Sequence, residues 1–504
     1  MPKIILSTLN ARYIHASMGL RYLLANMGDL QASTELIEFN INSRVIDMAE
    51  TLLQKKPAII GLGVYIWNAM ETLQLVNLLK TISPETILVL GGPEVSYEFD
   101  QQDIVQNADY LITGQAEMAF KELCEDILNK KNRLNKIIHP SPVDISTIEL
   151  PYSYYNDEDI RNRVIYVEAS RGCPFKCEFC LSSLDKTVYP FDLDIFLNEM
   201  DILYQRGVRH FKFVDRTFNL KVATSIKIMD FFLNKMNANN SENLFLHFEL
   251  IPDHLPEKLK SIIARFPEGS LQFEIGIQSL NPEVQTIISR KQNTQKVTDN
   301  LNWLRQHSHA HIHADLIIGL PGETIDSFAQ GLNQLYKMAP HEIQVGILKR
   351  LKGTPIIRHS KDYDMRYNPH PPFNILSNKL ISFSEMQKLS RFARYWDMII
   401  NSGRFSHTKA SILSKDAFYN FIALSNWLFE HTSQTHKIAL PRLFSLLYKG
   451  MVEALNLDSA EVSNVLLKDF EVSGIKGQPK FLQTLPIKSD KKTQASQRQL
   501  RHKL

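Results

Sequence analysis

Cysteine is scarce in this chain of 504 residues: there are four, and three of them fall within eight positions of one another, at 173, 177 and 180. So few thiols exclude an oxidised scaffold stapled by disulfides. Long apolar runs are missing too. No uninterrupted stretch reaches the roughly 18 residues of a membrane span, and Met1-Pro-Lys-Ile-Ile-Leu-Ser7 lacks the basic region, apolar core and cleavage site of a secretory leader. Charge of one sign is not in excess either. A formal net charge of +3, with 22% charged residues, does not argue for nucleic acid or an anionic surface as a partner. No membrane and no nucleic acid is therefore expected, and the expected compartment is the cytoplasm. Hydrophobic content of 44% is ordinary for a globular chain, and the length suggests about three domains.

What is present is one concentrated motif. Glu168-Ala-Ser-Arg-Gly-Cys173-Pro-Phe-Lys-Cys177-Glu-Phe-Cys180 spaces its cysteines C-x3-C-x2-C directly after the apolar run Val164-Ile-Tyr-Val167. A closed zinc site wants four protein ligands, usually in two knuckles, and the second C-x2-C is missing. Three thiolates suit a [4Fe-4S] cluster that keeps one iron open to an outside ligand.

A C-x3-C-x2-C loop after a strand resembles the signature of the radical S-adenosylmethionine (SAM) enzymes. The resemblance implies that Cys173, Cys177 and Cys180 hold a [4Fe-4S] cluster. It further implies that SAM chelates the open iron and is cleaved by one electron to methionine and a 5′-deoxyadenosyl radical.

Ahead of that loop, apolar runs over 3–7, 34–39, 57–64, 86–93 and 110–114 alternate with amphipathic stretches over 18–27, 45–54, 70–82 and 117–129. Such alternation predicts a parallel, doubly wound sheet with ligands at the carboxyl ends of its strands. Gly61-Leu-Gly63 is no dinucleotide fingerprint, because the third glycine is missing. Residues 1–135 resemble the Rossmann-like (flavodoxin-like) cobalamin-binding domain of class B radical SAM enzymes, with Leu90-Gly91-Gly92-Pro93-Glu94-Val95 the nearest match. The resemblance implies cobalamin contacts at Gly91, Gly92, Pro93 and Glu94. The chain departs from other cobalamin proteins in lacking D-x-H-x-x-G; its nearest stretch is His15-Ala-Ser-Met-Gly19.

Residues 136–163 read as a proline-punctuated, irregular linker. Over 164–355 a second alternating series predicts six strand–helix units, a (β/α)6 partial TIM barrel with its site at the strands' carboxyl ends. The loop from Cys180 through Asp185-Lys-Thr187 is expected to cover the cluster. Asp215 follows the second strand and resembles the family position that meets the amino group of SAM; its bland alternative is a turn or cap. Glu249 ends the third strand, where it holds SAM or substrate or else faces solvent. In Phe273-Glu-Ile-Gly-Ile-Gln-Ser279 alternation sends Glu274, Gly276 and Gln278 to one face. With Ser279, this stretch resembles the fourth-strand motif whose polar side chains bind the ribose of SAM. Asp315-Leu-Ile-Ile-Gly319-Leu-Pro-Gly-Glu-Thr324 resembles the fifth-strand motif, with Gly319 allowing close approach to adenine. His307, His309, His311 and His313 invite a metal reading if the strand begins early, but residues 306–310 read as a helix-to-strand turn, where histidines are usually solvated, ahead of a strand over 311–318. Cys124 reads as a small core residue.

Residues 356–485 form a helix-rich C-terminal domain, like that of an uncharacterised branch of these proteins, and 486–504 a basic, disordered tail. The expected function is reductive SAM cleavage coupled, with cobalamin, to methylation or rearrangement of an unactivated carbon of a small molecule. A flavodoxin or ferredoxin is the expected electron donor. The alternatives are a coproporphyrinogen-dehydrogenase-like oxidoreductase without cobalamin and a non-catalytic cluster or cobalamin sensor.

Overall fold

The computed structural model describes residues 3–131, 134–238 and 243–477. Six parallel strands form the first sheet: β1 (Ile4–Asn10), β2 (Thr34–Asn40), β3 (Ile59–Gly63), β4 (Ile87–Gly91), β5 (Tyr110–Ile112) and β6 (Ile137–Ile138). Their order is β2-β1-β3-β4-β5-β6. Helices α1 (Met18–Ala25), α2 (Val45–Leu53), α3 (Ala69–Ile82), α4 (Asp103–Asn107) and α5 (Glu117–Leu128) cover its two faces. The central strand shows why. Ile4 and Leu6 pack toward α1 and α5, whereas Ile5 and Leu9 pack toward α2, α3 and α4; a strand buried on both faces has to be apolar at nearly every position. The order reverses between β1 and β3, the switch point where such sheets bind ligands.

The segment expected to be an irregular linker differs from that expectation. Ile137–Ile138 completes the first sheet by pairing with Leu111 and Ile112, and α6 (Asp157–Asn162) is held by a reciprocal capping box between Asn156 and Asp159. A two-residue strand carries no readable period, and a six-residue helix barely carries one.

The second sheet begins with β7 (Ile165–Val167). A small antiparallel pair, β8 (Ser170–Arg171) and β9 (Tyr189–Pro190), closes the base of the cysteine loop. The sheet continues through β10 (His210–Phe213), β11 (Phe245–Leu250), β12 (Leu271–Gln278), β13 (His311–Ile318) and β14 (Glu342–Ile347), all parallel, in the order β14-β13-β12-β11-β10-β7. Helices α7 (Leu193–Gln205), α8 (Val222–Ala238), α9 (Glu257–Ile263), α10 (Pro282–Ile287), α11 (Thr294–His307) and α12 (Ile325–Lys337) connect the strands. This is a barrel of six strands left open between β14 and β7. A hairpin of β15 (Arg366–Tyr367) and β16 (Ile375–Ser377) leads to five helices: α13 (Phe383–Ile399), α14 (Ser406–Ile412), α15 (Ala417–Thr432), α16 (Leu440–Glu453) and α17 (Ser459–Val472). Their aromatics, Trp396, Phe421 and Phe444 among them, join one continuous core with Phe213, Phe248 and Phe273 of the barrel. The expected tail, 486–504, lies outside the described residues. Among the described residues no helix is long and apolar enough to cross a membrane.

Buried ion pairs lock the two sheets together. Arg21 on α1 meets Glu38 at 2.8 Å and Asp159 of α6 at 2.7 Å, and Lys352, beyond β14, meets Glu94 at 2.7 Å.

Candidate active site

The cysteine loop leaves β7 at the carboxyl end of the barrel, with all three of its thiols free. The charges of the other two thiols push the Cys173 thiol up after burial has done so first, which sets the three side by side. Arg290, just beyond α10, donates to Cys177 Sγ at 3.3 Å and to the Gly276 carbonyl. A guanidinium there sets a positive charge beside that sulfur. The donor set therefore fits a cluster with three protein corners.

Glu178, between Cys177 and Cys180, is 2% exposed. It accepts from Ser289 Oγ at 2.7 Å, from His359 Nε2 at 2.7 Å and from Arg358, while its backbone bonds to Ile288 and Ile356. The cysteine loop is thus held from below by the chain that runs out of the barrel. Asp185-Lys-Thr187 packs on the loop's entry: the Asp185 carbonyl accepts from Cys173 N–H at 3.3 Å, and a Cβ on Gly172 would meet the Thr187 carbonyl.

Pleating and register assemble the lumen. Glu249 pairs with Glu274, Glu274 with His313, and Gly276 with Asp315 across β11, β12 and β13. Glu249 meets Arg216 at 2.7 Å. Glu274 meets Lys212 at 3.1 Å and His247 at 2.9 Å. Against the opposing pull of burial, the His247 hydrogen bond and the Lys212 charge hold the Glu274 carboxyl far below the usual range. Asp315 behaves oppositely: burial, then the Glu274 and Glu249 charges, push it up to about 7. Sequence reasoning placed Asp315 inside a motif without singling it out, and it passed over Arg290 entirely. Alternation along β13 could have found Asp315, which shares its face with His311 and His313, whereas Arg290, beyond α10, carries no local signal.

The remaining expected residues divide. Gln278 sits at φ 70° with its amide against Gly276. Ser279 Oγ donates to Glu323 at 2.5 Å, and burial raises the Glu323 carboxyl to about 8. Asp215 accepts from Ala169 N–H at 3.0 Å and Ser170 Oγ at 2.6 Å, the turn-holding arrangement, and burial lifts it to about 7. Gly319, at φ 91°, lies under Ile375: an added Cβ would come 2.6 Å from Ile375 Cγ2. Its need for glycine comes from the hairpin that follows the barrel.

At the carboxyl edge of the first sheet, a cavity of about 280 Å³ runs between the strands and helices α1 and α5, lined by Gly61, Gly63, Gly91, Gly92 and Gly114 among others. A Cβ at Gly114 would meet nothing within 4 Å, and at Gly91 only one carbonyl at 3.7 Å. Gly91 and Gly114 thus keep a slot open, whereas a Cβ at Gly92 would come 2.5 Å from the Val64 carbonyl and one at Gly61 2.9 Å from Phe120; the slot fits a cobalamin side arm. Glu94 turns from it toward Lys352, on a larger cavity of about 730 Å³ between the first sheet and the β15–β16 hairpin. His15 does not stand in for the missing histidine motif. Its Nδ1 lies 2.6 Å from the Tyr166 hydroxyl of the barrel, and its backbone bridges to Val164. At the mouth, Tyr65 and Trp67 stack at 4.5 Å, and Trp67 is 44% exposed.

Comparison with known proteins agrees with this arrangement. Family models match over 167–335 (radical SAM superfamily), 5–124 (B12 binding domain) and 361–504 (protein of unknown function, DUF4080). An uncharacterised methyltransferase of Pyrococcus horikoshii, PH0819, is 22% identical over 80% of this chain and 88% of its own. The cobalamin-dependent radical SAM methyltransferase TokK of Streptomyces tokunonensis is 24% identical over 64% of this chain, which spans only 52% of TokK. Among solved structures, the cobalamin-dependent SAM radical enzyme OxsB, with aqua-cobalamin and SAM bound, is similar in fold at a TM-score of 0.64 and 13% identity, covering 93% of this chain and 84% of that one. The methyltransferase TsrM of Kitasatospora setae, with cobalamin and [4Fe-4S] cluster bound, reaches 0.60 at 14% identity, covering 94% of this chain and all of that one.

Proposed function

We propose that this chain, a radical SAM enzyme with a B12-binding domain ahead of its barrel and a DUF4080 region behind it, methylates an unactivated carbon of a small molecule held between its two sheets. The single observation that carries the reading is that Arg171, two residues before the first cluster cysteine, also lines the glycine slot of the first sheet. Both cofactor sites therefore border one space. When bound, the cluster, SAM and cobalamin supply one-electron cleavage of SAM and a methyl carrier.

The chain's own residues do the holding. Cys173, Cys177 and Cys180 offer the three sulfurs. Arg290 faces an anionic group beside Cys177, the chemistry of the SAM carboxylate. Glu249 offers an acceptor to an ammonium, and Gln278 with Asp315 suits ribose hydroxyls, since a carboxyl titrating near neutrality can both donate and accept. Gly91, Gly92 and Gly114 admit the cobalamin side arm, with Pro93 shaping the turn beside it. Glu94 is given a bracing role through Lys352, and Asp215 and Ser279 the role of holding strand exits. Burial of Cys173, Cys177 and Glu178 limits water at two of the three sulfurs.

The division we adopt is 1–135 for the cobalamin unit, 164–355 for the barrel and 356–485 for the C-terminal helices. A flavodoxin or ferredoxin is the proposed electron donor. The coproporphyrinogen-type reading is not favoured, because the B12-binding match and the glycine slot have no place in it.

Anaerobic reconstitution followed by assay for 5′-deoxyadenosine tests the reading. Reductant-dependent formation is expected, with its loss in Cys177→Ala and a drop of about 10- to 100-fold in Arg290→Met, the loss of one charge-assisted contact. A fully loaded protein that forms none sinks it. Cobalamin should remain with the chain through gel filtration.

A further inference from the structure

The four histidines of the run divide where the turn gives way to the strand. His307 and His309 are exposed, but β13 starts at His311, which is 8% exposed, and His313 follows on the same face. Glu342, 3% exposed, stands across from His313 on β14. Its Oε1 is 3.3 Å from His311 Nε2 and its Oε2 2.7 Å from His313 Nε2. The donor atoms of all three side chains lie within 4.8 Å of one another, the one such group among the described residues. His341 stacks on His311 at 4.6 Å, and its Nδ1 accepts from Ile312 N–H at 2.9 Å, which makes it a wall of this cluster rather than a member.

We infer that His311, His313 and Glu342 form a binding site for a divalent ion of the zinc class, separate from the cysteine cluster. The ligand types are those of zinc, which takes imidazole nitrogen and carboxylate oxygen at about 2.0–2.2 Å. At that radius two corners of a tetrahedron lie about 3.4 Å apart; the two imidazole nitrogens face different oxygens of Glu342, at 3.3 and 2.7 Å, so a small turn of the carboxylate brings a single oxygen into a shared ligand set. Both rings turn the same nitrogen toward one carboxylate, and two hydrogen-bonded strands hold them there. The competing arrangement, a carboxylate bridging two Nε2–H groups, uses the same geometry but predicts no uptake of an ion.

Three protein ligands leave a fourth position, as in open zinc sites. The cluster borders the lumen, since His313 stands beside Glu274 across β12 and β13. His313 is the most accessible of the three, with 17% of its side chain exposed, and it lies one pleat, about 7 Å, below Asp315 on the same strand face. The ion ties β13 to β14, the last two strands before the barrel's open edge, and places a water at the lumen floor.

The test uses the full chain carrying Cys173→Ala, Cys177→Ala and Cys180→Ala, so that iron and cluster thiols play no part. The fourth thiol, Cys124, is raised to about 12 by burial and competes poorly. After chelator treatment, zinc loading and gel filtration, the expected result is about one zinc per chain by elemental analysis. His313→Gln or Glu342→Gln should weaken retention at least tenfold, with near-ultraviolet circular dichroism confirming the fold. If those variants unfold, cobalt in the parent decides: tetrahedral bands without a thiolate charge-transfer band support the site. A parent chain that retains no zinc, folded variants that retain a full equivalent, or a thiolate band overturns it.

Discussion

Arg171 Nη1 lies 2.6 Å from Glu117 Oε1, while Nη2 of the same guanidinium lies 2.6 Å from Glu168 Oε1. One side chain beside the cluster cysteines therefore grips the first turn of α5 in the B12-binding unit. Although burial opposes it, the two carboxylates hold the guanidinium firmly charged. Glu117→Ala should remove the bridge while leaving the Glu168 partner. A double-mutant cycle with Arg171→Ala, read by urea unfolding, is expected to give a coupling of about 1–3 kcal/mol. A coupling near zero would show the contact to be incidental.

Glu178 predicts a dependence of the cluster loop on the chain that follows the barrel. Glu178→Ala leaves Ser289 and the largely buried His359 without their acceptor, while Arg358, 62% exposed, turns to water. Leaving buried donors without a partner costs about 1–3 kcal/mol. Iron content after reconstitution should fall, whereas Ser289→Ala, which removes one neutral donor, should leave it nearly intact.

Gly319→Ala meets two obstacles at once, a left-handed φ of 91° and Ile375 Cγ2 at 2.6 Å from the new methyl group. A loss of about 2–4 kcal/mol is expected. Shortening the neighbour in the double variant with Ile375→Val should recover only part of it, because the backbone term stays. Full recovery would assign the glycine to packing alone.

Glu323 makes stability fall with pH. Its carboxyl, raised to about 8 by burial, stays protonated in the folded chain at pH values where the unfolded chain, near 4.3, has already ionised. The folded state then binds more protons, so this contribution is complete below about pH 4.3 and is lost as pH rises toward 8, at about 1.4 kcal/mol per unit. Glu323→Gln escapes that loss. Its melting temperature relative to the parent should climb steadily from pH 5 to pH 8 and then level off.

Local chemistry made much of this legible in advance. Three thiols at C-x3-C-x2-C, apolar runs alternating with amphipathic helices, and the Gly-Leu-Pro-Gly turn after β13 are properties of neighbouring residues, and each stands where the alternation implied. Less was legible where a role depends on distant partners. Asp215, Glu94 and Gly319 look alike in the sequence as strand-end residues, yet Ala169 and Ser170 engage the first, Lys352 the second and Ile375 the third. The histidine run shows the same limit: alternation sends His311 and His313 to one face of β13, but only the pairing of β13 with β14 brings Glu342 to them.

By itself, then, the sequence determined the chemistry available to this protein: three thiolates for a cluster, two alternating α/β series to present it, and glycines at the strand ends of the first. Tertiary structure alone decided which groups meet. It brought Arg171 to Glu117, Arg358 and His359 to Glu178, and Glu342 to His311 and His313. The physical reason is that covalent spacing fixes what lies within a few residues, while pairing across strands and between sheets follows from burying apolar faces, which carries polar groups along and matches them only once the core has closed.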